Sequence, residues 1–395
     1  MKFAHFSDCH LGGWRQPELN ELNFLSFKKA VDICIDEKVD FILITGDLFD
    51  SAYPPIEILK RTFAEFKRLI DEKIKCYLIA GSHDYSVSGK TFLDVLEKGG
   101  FCKICEYENS PDENGKIILK PLKHIGVSIY GYPGKKSGLE IADLKRVEIK
   151  EDTNFKILML HTTLTEAKGS LPIDSISLKE LPSADYYALG HLHMDFELSL
   201  NGKPVIYGGP IFPNNFQELE ELKHGRFYLV EVNGYTKVTK KEIKLKEVVI
   251  FSLKIKNSLT ATANILSEFD NHDLKDKIVL LKLSGTLEQG KTSDINFQEI
   301  QEYLKTKEAY SFLKNTGKLI AEEQEFEGKI EENEMEKIEG LLIDKYKNEN
   351  PNKFNELILP LFNSLGLEKQ EDEKSAIFEA RLFDETNKIL KINLR

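Results

Sequence analysis

The chain has 395 residues, 41% of them hydrophobic, and at about 150 residues per domain this length predicts two or three domains that fold without disulfides or structural metals. Its net charge of −11 excludes nucleic-acid binding by bulk attraction, but not a nucleic-acid enzyme whose divalent cations supply the local positive charge. No apolar run approaches the roughly 18 residues of a membrane span, no signal peptide's apolar stretch is present at the N-terminus, and five scattered cysteines fit a reducing cytoplasm.

Short apolar runs rich in β-branched and aromatic residues predict strands at residues 2–6, 41–44, 76–79, 157–160, 186–189 and 205–207. Between the first three lie helical periodicities, one through Phe24, Phe27, Val31, Cys34 and Ile35, another through Ile58, Leu59, Phe63, Phe66 and Leu69. Strands alternating with helices imply an α/β architecture with a covered sheet. Asn201-Gly202 between two strand-like runs is a hairpin signal, so a layered sheet sandwich flanked by helices fits better than a purely parallel sheet.

From about residue 236 the pattern predicts a small β-α-β-α domain. Phe251, Leu253 and Ile255 alternate with polar residues, a helical stretch covers 261–269 and a strand 278–283. Phe297, Ile300, Tyr303 and Leu304 then have helical spacing. Residues 322–339 hold nine glutamates against two lysines and read as a solvated linker. Beyond it Phe354, Leu357, Ile358, Leu361, Phe362 and Leu365 share one helical face, which Pro360 is expected to kink or interrupt. That face must pack on its own core or on a partner. The expected domains are 1–235, 236–321, the linker 322–339 and a C-terminal tail 340–395.

The ends of the predicted strands carry the chemistry. Asp8-Cys9-His10 follows the first, Gly46-Asp47 the second, Gly81-Ser82-His83-Asp84 the third, His161 the fourth and Gly190-His191-Leu192-His193 the fifth. The carboxyl ends of strands in open α/β sheets line one crevice, so these residues converge. Aspartates and imidazoles together suit Mn, Fe or Zn and are too nitrogen-rich for calcium. In an extended backbone Asp8 and His10, and likewise His191 and His193, project to one side, with Cys9 and Leu192 pointing away. Asp47, after a glycine, can sit in a tight turn and bridge two ions, which together clamp a phosphate and lower the pKa of a bound water.

This ordered series resembles the calcineurin-like metallophosphoesterases. Within them, the stretch Phe6 to Gly12, Gly46-Asp47-Leu48-Phe49, and the stretch Tyr186 to His193 are similar to the Mre-eleven/SbcD DNA-repair nucleases. The resemblance covers roughly residues 1–230. It implies the calcineurin-like sheet sandwich, a small α/β capping domain and a helical C-terminal tail that grips an ATPase partner. It further implies two Mn ions per subunit, with Mg or Fe as alternatives. Asp8, His10 and His193 would hold one ion, Asp47 would bridge, and His161, His191 and the position of Ser82 would hold the second. His83 would face the scissile phosphate, oriented by Asp84. Ser82 stands where the family usually has asparagine, and Thr162 follows His161 where the family often has glutamine.

Candidate substrate contacts are Trp14 and Arg15 after the first motif, Tyr85 after the third, Lys135 and Lys136 in a glycine-flanked loop, and Asn214 and Asn215 after the sixth strand, with Phe212 beside them. Leu59, Phe63 and Phe66 are either core or, as in the family, a homodimer seam. Cys102-x-x-Cys105 has zinc-ligand spacing without a second pair and is set aside.

The resulting expectation is a Mn-dependent DNA exo/endonuclease that hydrolyses phosphodiesters at DNA ends in double-strand-break repair, cytoplasmic, working with a Rad-fifty/SbcC-type coiled-coil ABC ATPase. The alternatives are a metallophosphatase on a phosphoprotein or small phosphate ester, and a weakly catalytic scaffold that tethers DNA ends.

Overall fold

The computed structural model describes residues 1–321 except 87, 88, 90, 109, 136, 137, 151, 152 and 171, and beyond them Lys347, 354–365, Leu367 and 375–390. All six expected runs are strands, but they are divided between two sheets. The first sheet has the order Thr236–Ile243, Gly225–Val232, Lys2–Phe6, Phe41–Thr45, Lys75–Ile79, Lys103–Ile104. The second has the order Glu197–Leu200, Lys203–Tyr207, Tyr186–Gly190, Phe155–His161, Val127–Tyr132, Leu122–His124. In each sheet the central strands are parallel, so their carboxyl ends share one edge.

The inner faces of both sheets meet in a buried core that includes Phe3, Phe41, Leu43, Ile129, Ile157, Met159, Tyr186 and Tyr228. The outer face of the first sheet is covered by the helices Pro17–Asp36 and Ile56–Asp71, whose Phe24, Phe27, Val31, Cys34 and Phe66 are buried there. Leu59 and Phe63 are partly buried on the same core. The outer face of the second sheet has its own core around Tyr130, Leu158, Leu160, Tyr187 and Tyr207. The expected sheet sandwich with flanking helices is therefore what the chain forms. Asn201 and Gly202, with φ of 53° and 78°, turn the antiparallel hairpin between Glu197–Leu200 and Lys203–Tyr207.

Strand Thr236–Ile243 lies beyond residue 235 and pairs along its whole length with Gly225–Val232, as an edge of the first sheet. A separate layer follows. Strands Val248–Lys254, Ile278–Leu287 and Ser311–Ala321 are parallel, with the helices Ser258–Asp270 and Phe297–Thr306 packed on one core. A shared core joins this layer to the sandwich through Trp14, Leu19, Leu22, Phe212, Leu219, Ile278, Leu280 and Leu313.

The chain divides into two compact units, Met1–Glu322 and Glu323–Arg395. The linker 322–339 lies outside the described residues. In the second unit the helices Asn355–Leu365 and Ser375–Leu390 pack against each other, and Ser364 Oγ lies 3.4 Å from Thr386 Oγ1. Contrary to expectation, Pro360 does not interrupt the first of these helices. Proline there forfeits its own N–H bond and crowds the carbonyl four residues back, a local cost that the helix bears without ending. Phe354, Leu365 and Phe383 remain exposed. Among the described residues no helix is long and apolar enough to cross a membrane.

Candidate metal centre

The loops that leave Phe6, Thr45, Ile79, His161 and Gly190 lie together at the carboxyl edge of the sandwich. Backbone pairing continues past the strands: the N–H groups of Asp8, His10 and Leu11 donate to the carbonyls of Gly46, Asp47 and Leu48 at 3.2, 2.9 and 3.0 Å. The ligand loops are not extended, as the alternation argument required. Asp8, His10, Asp47 and His191 all adopt left-handed backbone, with φ of 50°, 43°, 50° and 99°. The strands Lys2–Phe6, Phe41–Thr45 and Tyr186–Gly190 thus end in left-handed turns at the centre, whereas His161 still belongs to its strand. Cys9 does point away, fully buried in the helix-side core.

Two glycines make the convergence sterically feasible. A Cβ on Gly46, itself at φ +90°, would lie 2.2 Å from His161 Nδ1, and one on Gly81 would lie 2.2 Å from Asp47 Oδ1.

Donor atoms gather in three overlapping groups, the atoms of each within 4.8 Å of one another: Asp8 with His10 and His193, Asp8 with Asp47 and His161, and His10 with Asp50 and His83. Asp8 is shared by the first two groups, Asp47 belongs to the second, and both are buried. Every imidazole in these groups has one nitrogen committed. His10 Nδ1 lies 3.2 Å from Asp50 Oδ1, His193 Nδ1 lies 3.0 Å from Glu218 Oε1, and His161 Nδ1 lies 2.9 Å from the Thr45 carbonyl. These partners only accept, so each Nδ1 carries the proton and each Nε2 presents a lone pair. Nε2 of His10 and Nε2 of His193 face each other at 3.1 Å. Nε2 of His161 is buried, 3.2 Å from Asp47 Oδ2, yet makes no hydrogen bond of acceptable geometry. Opposed lone pairs beside buried carboxylates are what a divalent cation satisfies, so these residues fit metal ions.

The electrostatics agree. Burial disfavours the Asp8 carboxylate, but His193, whose Nε2 lies 3.7 Å from Asp8 Oδ1, and His161 hold it well below the usual range. Asp47 is held down likewise by His161 and His10 against its burial. Burial opposes protonation of His193 and His161, and the adjacent carboxylates overcome it, raising them to about 10 and about 9. The raised values reflect how strongly the buried carboxylates favour positive charge at these rings, a charge that a cation on the Nε2 lone pairs would supply.

His191 lies beside these groups. Its backbone N–H donates to Asp8 Oδ1 at 3.0 Å, and its ring centroid is 5.0 Å from that of His161. Burial and the charge of His161 push it down to about 4. Ser82 is half-buried on the loop of the third motif, and its hydroxyl makes no hydrogen bond among the described residues.

His83 differs from the ligands in exposure, with its side chain 48% accessible against 1% for His161. Its ring stands at 89° to that of His10, with centroids 4.8 Å apart. Asp84 does not orient it. The buried Asp84 carboxylate accepts from the N–H groups of Gly81 and Phe49 at 2.9 and 3.2 Å, tying two ligand loops together. Burial and the charge of Asp47 push Asp84 up to about 7. Orientation of His83 falls to Asp50, whose carbonyl lies 2.9 Å from His83 Nδ1.

The expected substrate contacts are mostly committed elsewhere. Trp14 is buried and its indole N–H donates to the Pro213 carbonyl at 2.9 Å, which makes it a core residue. Tyr85 packs against the helix-side core. Lys135 Nζ pairs with Asp143 at 2.5 Å. Asn215 caps the helix Phe216–Leu222, its Oδ1 accepting from the Glu218 N–H at 2.9 Å. Asn214 Nδ2 reaches Asp50 Oδ1 at 3.5 Å, within the centre. Arg15 is exposed and Lys136 lies outside the described residues. Cys102 and Cys105 are free and buried in different cores.

Asp50 and Glu218, which hold the ligand imidazoles, are the residues that sequence reasoning missed. Asp50 sits three positions past Asp47, and Glu218 looks only like the acid of a helix start after Asn215.

Residues 1–195 match the family Calcineurin-like phosphoesterase. The chain is 30% identical over 289 residues to the DNA double-strand break repair protein Mre11 of Methanocaldococcus jannaschii, covering 69% of this chain and 74% of that protein. The Mre11 of Sulfolobus acidocaldarius is 28% identical over 339 residues, 82% of this chain and 85% of its own length. The uncharacterized metallophosphoesterase YhaO of Bacillus subtilis is 31% identical over 249 residues, 59% of this chain and 58% of its own length. With the ligand set assembled on the sandwich that this family uses, the chain belongs to the Mre11 family of calcineurin-like phosphoesterases and is a metal-dependent phosphoesterase.

Proposed function

We propose that the chain is a DNA exo/endonuclease that hydrolyses phosphodiesters at DNA ends in double-strand-break repair, loaded with two Mn ions per subunit. The observation that carries this reading is the pair of donor groups sharing Asp8, with the half-exposed His83 standing against them. Similarity to Mre11 repair proteins over most of the chain supports DNA as the substrate.

Asp8, His10 and His193 would hold one ion, His161, His191 and Ser82 the second, and Asp47 both. Bound ions supply Lewis acidity to the phosphate and lower the pKa of a water nucleophile. The protein's own contribution is proton handling and orientation. Asp50 fixes Nδ1 of His83 and leaves its other nitrogen for the phosphate or the leaving oxygen. The loop bearing His83 is anchored by its backbone N–H, which donates to Asp47 Oδ1 at 2.8 Å.

The reading extends to a cytoplasmic homodimer working with a Rad-fifty/SbcC-type ATPase. The sandwich, residues 1–243, would serve as the nuclease domain and the three-stranded layer, 248–321, as the cap, with 322–339 as linker and the tail 340–395 gripping the ATPase. The exposed Phe354, Leu365 and Phe383 support that last assignment.

Digestion of end-labelled linear duplex DNA with Mn, comparing the parent with His83→Ala, tests the proposal. Cleavage by the parent and a loss of at least about a hundredfold in the variant are expected. Hydrolysis of a simple phosphomonoester with intact DNA would replace the nuclease with a phosphatase. Ser82→Asn, which offers a longer carbonyl ligand, should raise occupancy of the second ion. Unchanged occupancy would remove Ser82 as a determinant of that site.

A further inference from the structure

The short helix Phe216–Leu222 touches the metal centre on one side and the three-stranded layer on the other. On the first side, Glu218 Oε1 accepts from His193 Nδ1 at 3.0 Å, and Oε2 accepts from the Asn214 N–H at 2.8 Å. Asn214 Nδ2 then reaches Asp50 Oδ1 at 3.5 Å, the oxygen that lies 3.2 Å from His10 Nδ1. On the second side, Leu219 is fully buried in the core it shares with Ile278, Leu280 and Leu313. Glu220 meets Lys282 Nζ at 2.6 and 2.8 Å, a half-buried pair on strand Ile278–Leu287.

Residues 214–220 therefore reach both histidines of one donor group. His161, in the other group, is held instead by the Thr45 carbonyl inside the first sheet. A carboxylate on Nδ1 fixes the ring plane and makes Nε2 a better donor, and losing such a partner typically costs about 10- to 100-fold in metal affinity.

We propose that Glu218 is a positioning residue for the ligand His193, and that the Glu220–Lys282 pair transmits the seating of the three-stranded layer to that ligand. One of the two ions thereby depends on the layer, and the other does not. The proposal rests on reading Asp8, His10 and His193 as the ligands of one ion.

The test is Mn binding to the full chain by calorimetry, with the melting temperature in chelator as the check on folding. Glu218→Ala should weaken one ion about 10- to 100-fold and leave the other within about twofold. Glu218→Gln, which keeps an acceptor oxygen without its charge, should weaken the same ion less than about tenfold. Lys282→Glu should weaken that ion several-fold, and adding Glu220→Lys should restore it. If Glu218→Ala unfolds the chelated protein, Glu218→Gln decides, and a parent-like profile overturns the positioning role. Equal weakening of both ions in a folded variant overturns the selectivity, and an inert Lys282→Glu overturns the transmission. A parent that binds no Mn overturns the metal reading itself, and the proposal with it.

Discussion

The imidazoles of His10, His83, His161 and His193 each have one nitrogen spent on an acceptor, so the acceptors matter as much as the rings they hold. Asp50 serves two rings, His10 through its carboxylate and His83 through its carbonyl. Asp50→Ala keeps the carbonyl and removes the carboxylate. It should lower kcat for duplex DNA about 10- to 100-fold with KM within about twofold. An unchanged kcat would remove the carboxylate from the working site. A second residue-scale prediction concerns His5, wholly buried with Nδ1 3.0 Å from Tyr186 Oη and Nε2 3.1 Å from Thr45 Oγ1. Burial lowers it from 6.5 to about 3, against the Leu189 carbonyl and the charge of Asp8. The unfolded chain therefore takes up a proton that the folded chain refuses between pH 6.5 and about 3. His5's contribution is fully present above pH 6.5 and is lost as the pH falls through that window, at up to about 1.4 kcal/mol per pH unit. Urea unfolding from pH 6.5 to 4.5 should have a shallower pH slope in His5→Gln, and identical slopes would exclude His5 as the cause.

At the scale of elements, the strands whose side chains alternate cleanly or run apolar were legible in the sequence, and two central ones were not. Val127–Tyr132 contains Gly131, which reads as a breaker. In the structure a Cβ at Gly131 would lie 2.5 Å from Ile79 Cγ2, so the glycine is there because the two sheets approach closely at that point. Gly225–Val232 opens on a glycine for a similar reason, a Cβ there meeting the Ile211 carbonyl at 1.6 Å. Thr236–Ile243 has alternating exposure and little apolar content, and only its pairing with Gly225–Val232 assigns it to the first sheet. A chain ending at residue 235 would leave that neighbour as a bare edge and expose Trp14, Leu19 and Leu22. It should be recovered mostly in aggregates, whereas residues 1–322 should be monodisperse by size-exclusion chromatography or form a discrete oligomer. Equal solubility of the two would show that the edge strand is dispensable.

For the molecule as a whole, the buried Asp8 and Asp47 bring an electrostatic cost that cations relieve. Mn at a hundredfold excess over its Kd should stabilise the folded chain by about 2.7 kcal/mol, seen as a rise in Tm of several degrees that chelator reverses. Asp8→Asn should lose most of that rise, because Asp8 belongs to two of the three donor groups. A rise that survives Asp8→Asn would place the stabilising metal elsewhere.

From the sequence by itself the donor residues Asp8, His10, Asp47, His161 and His193 were legible, because the carboxyl ends of parallel strands share one crevice. The sequence also determined the helices that cover the sandwich, whose apolar periodicity has no other use in water. Only the tertiary structure decided that six similar strands belong to two sheets and that the ligand turns are left-handed rather than extended. It alone assigned the orientation of His83 to Asp50 rather than to the adjacent Asp84, and the support of His193 to Glu218. These are contacts between residues 25 to 40 positions apart, or more, set by how loops stack once the cores have closed. A polar side chain in a loop has the same local pattern whether it faces solvent or a neighbour's ring, so its partner becomes visible only after the strands are in register.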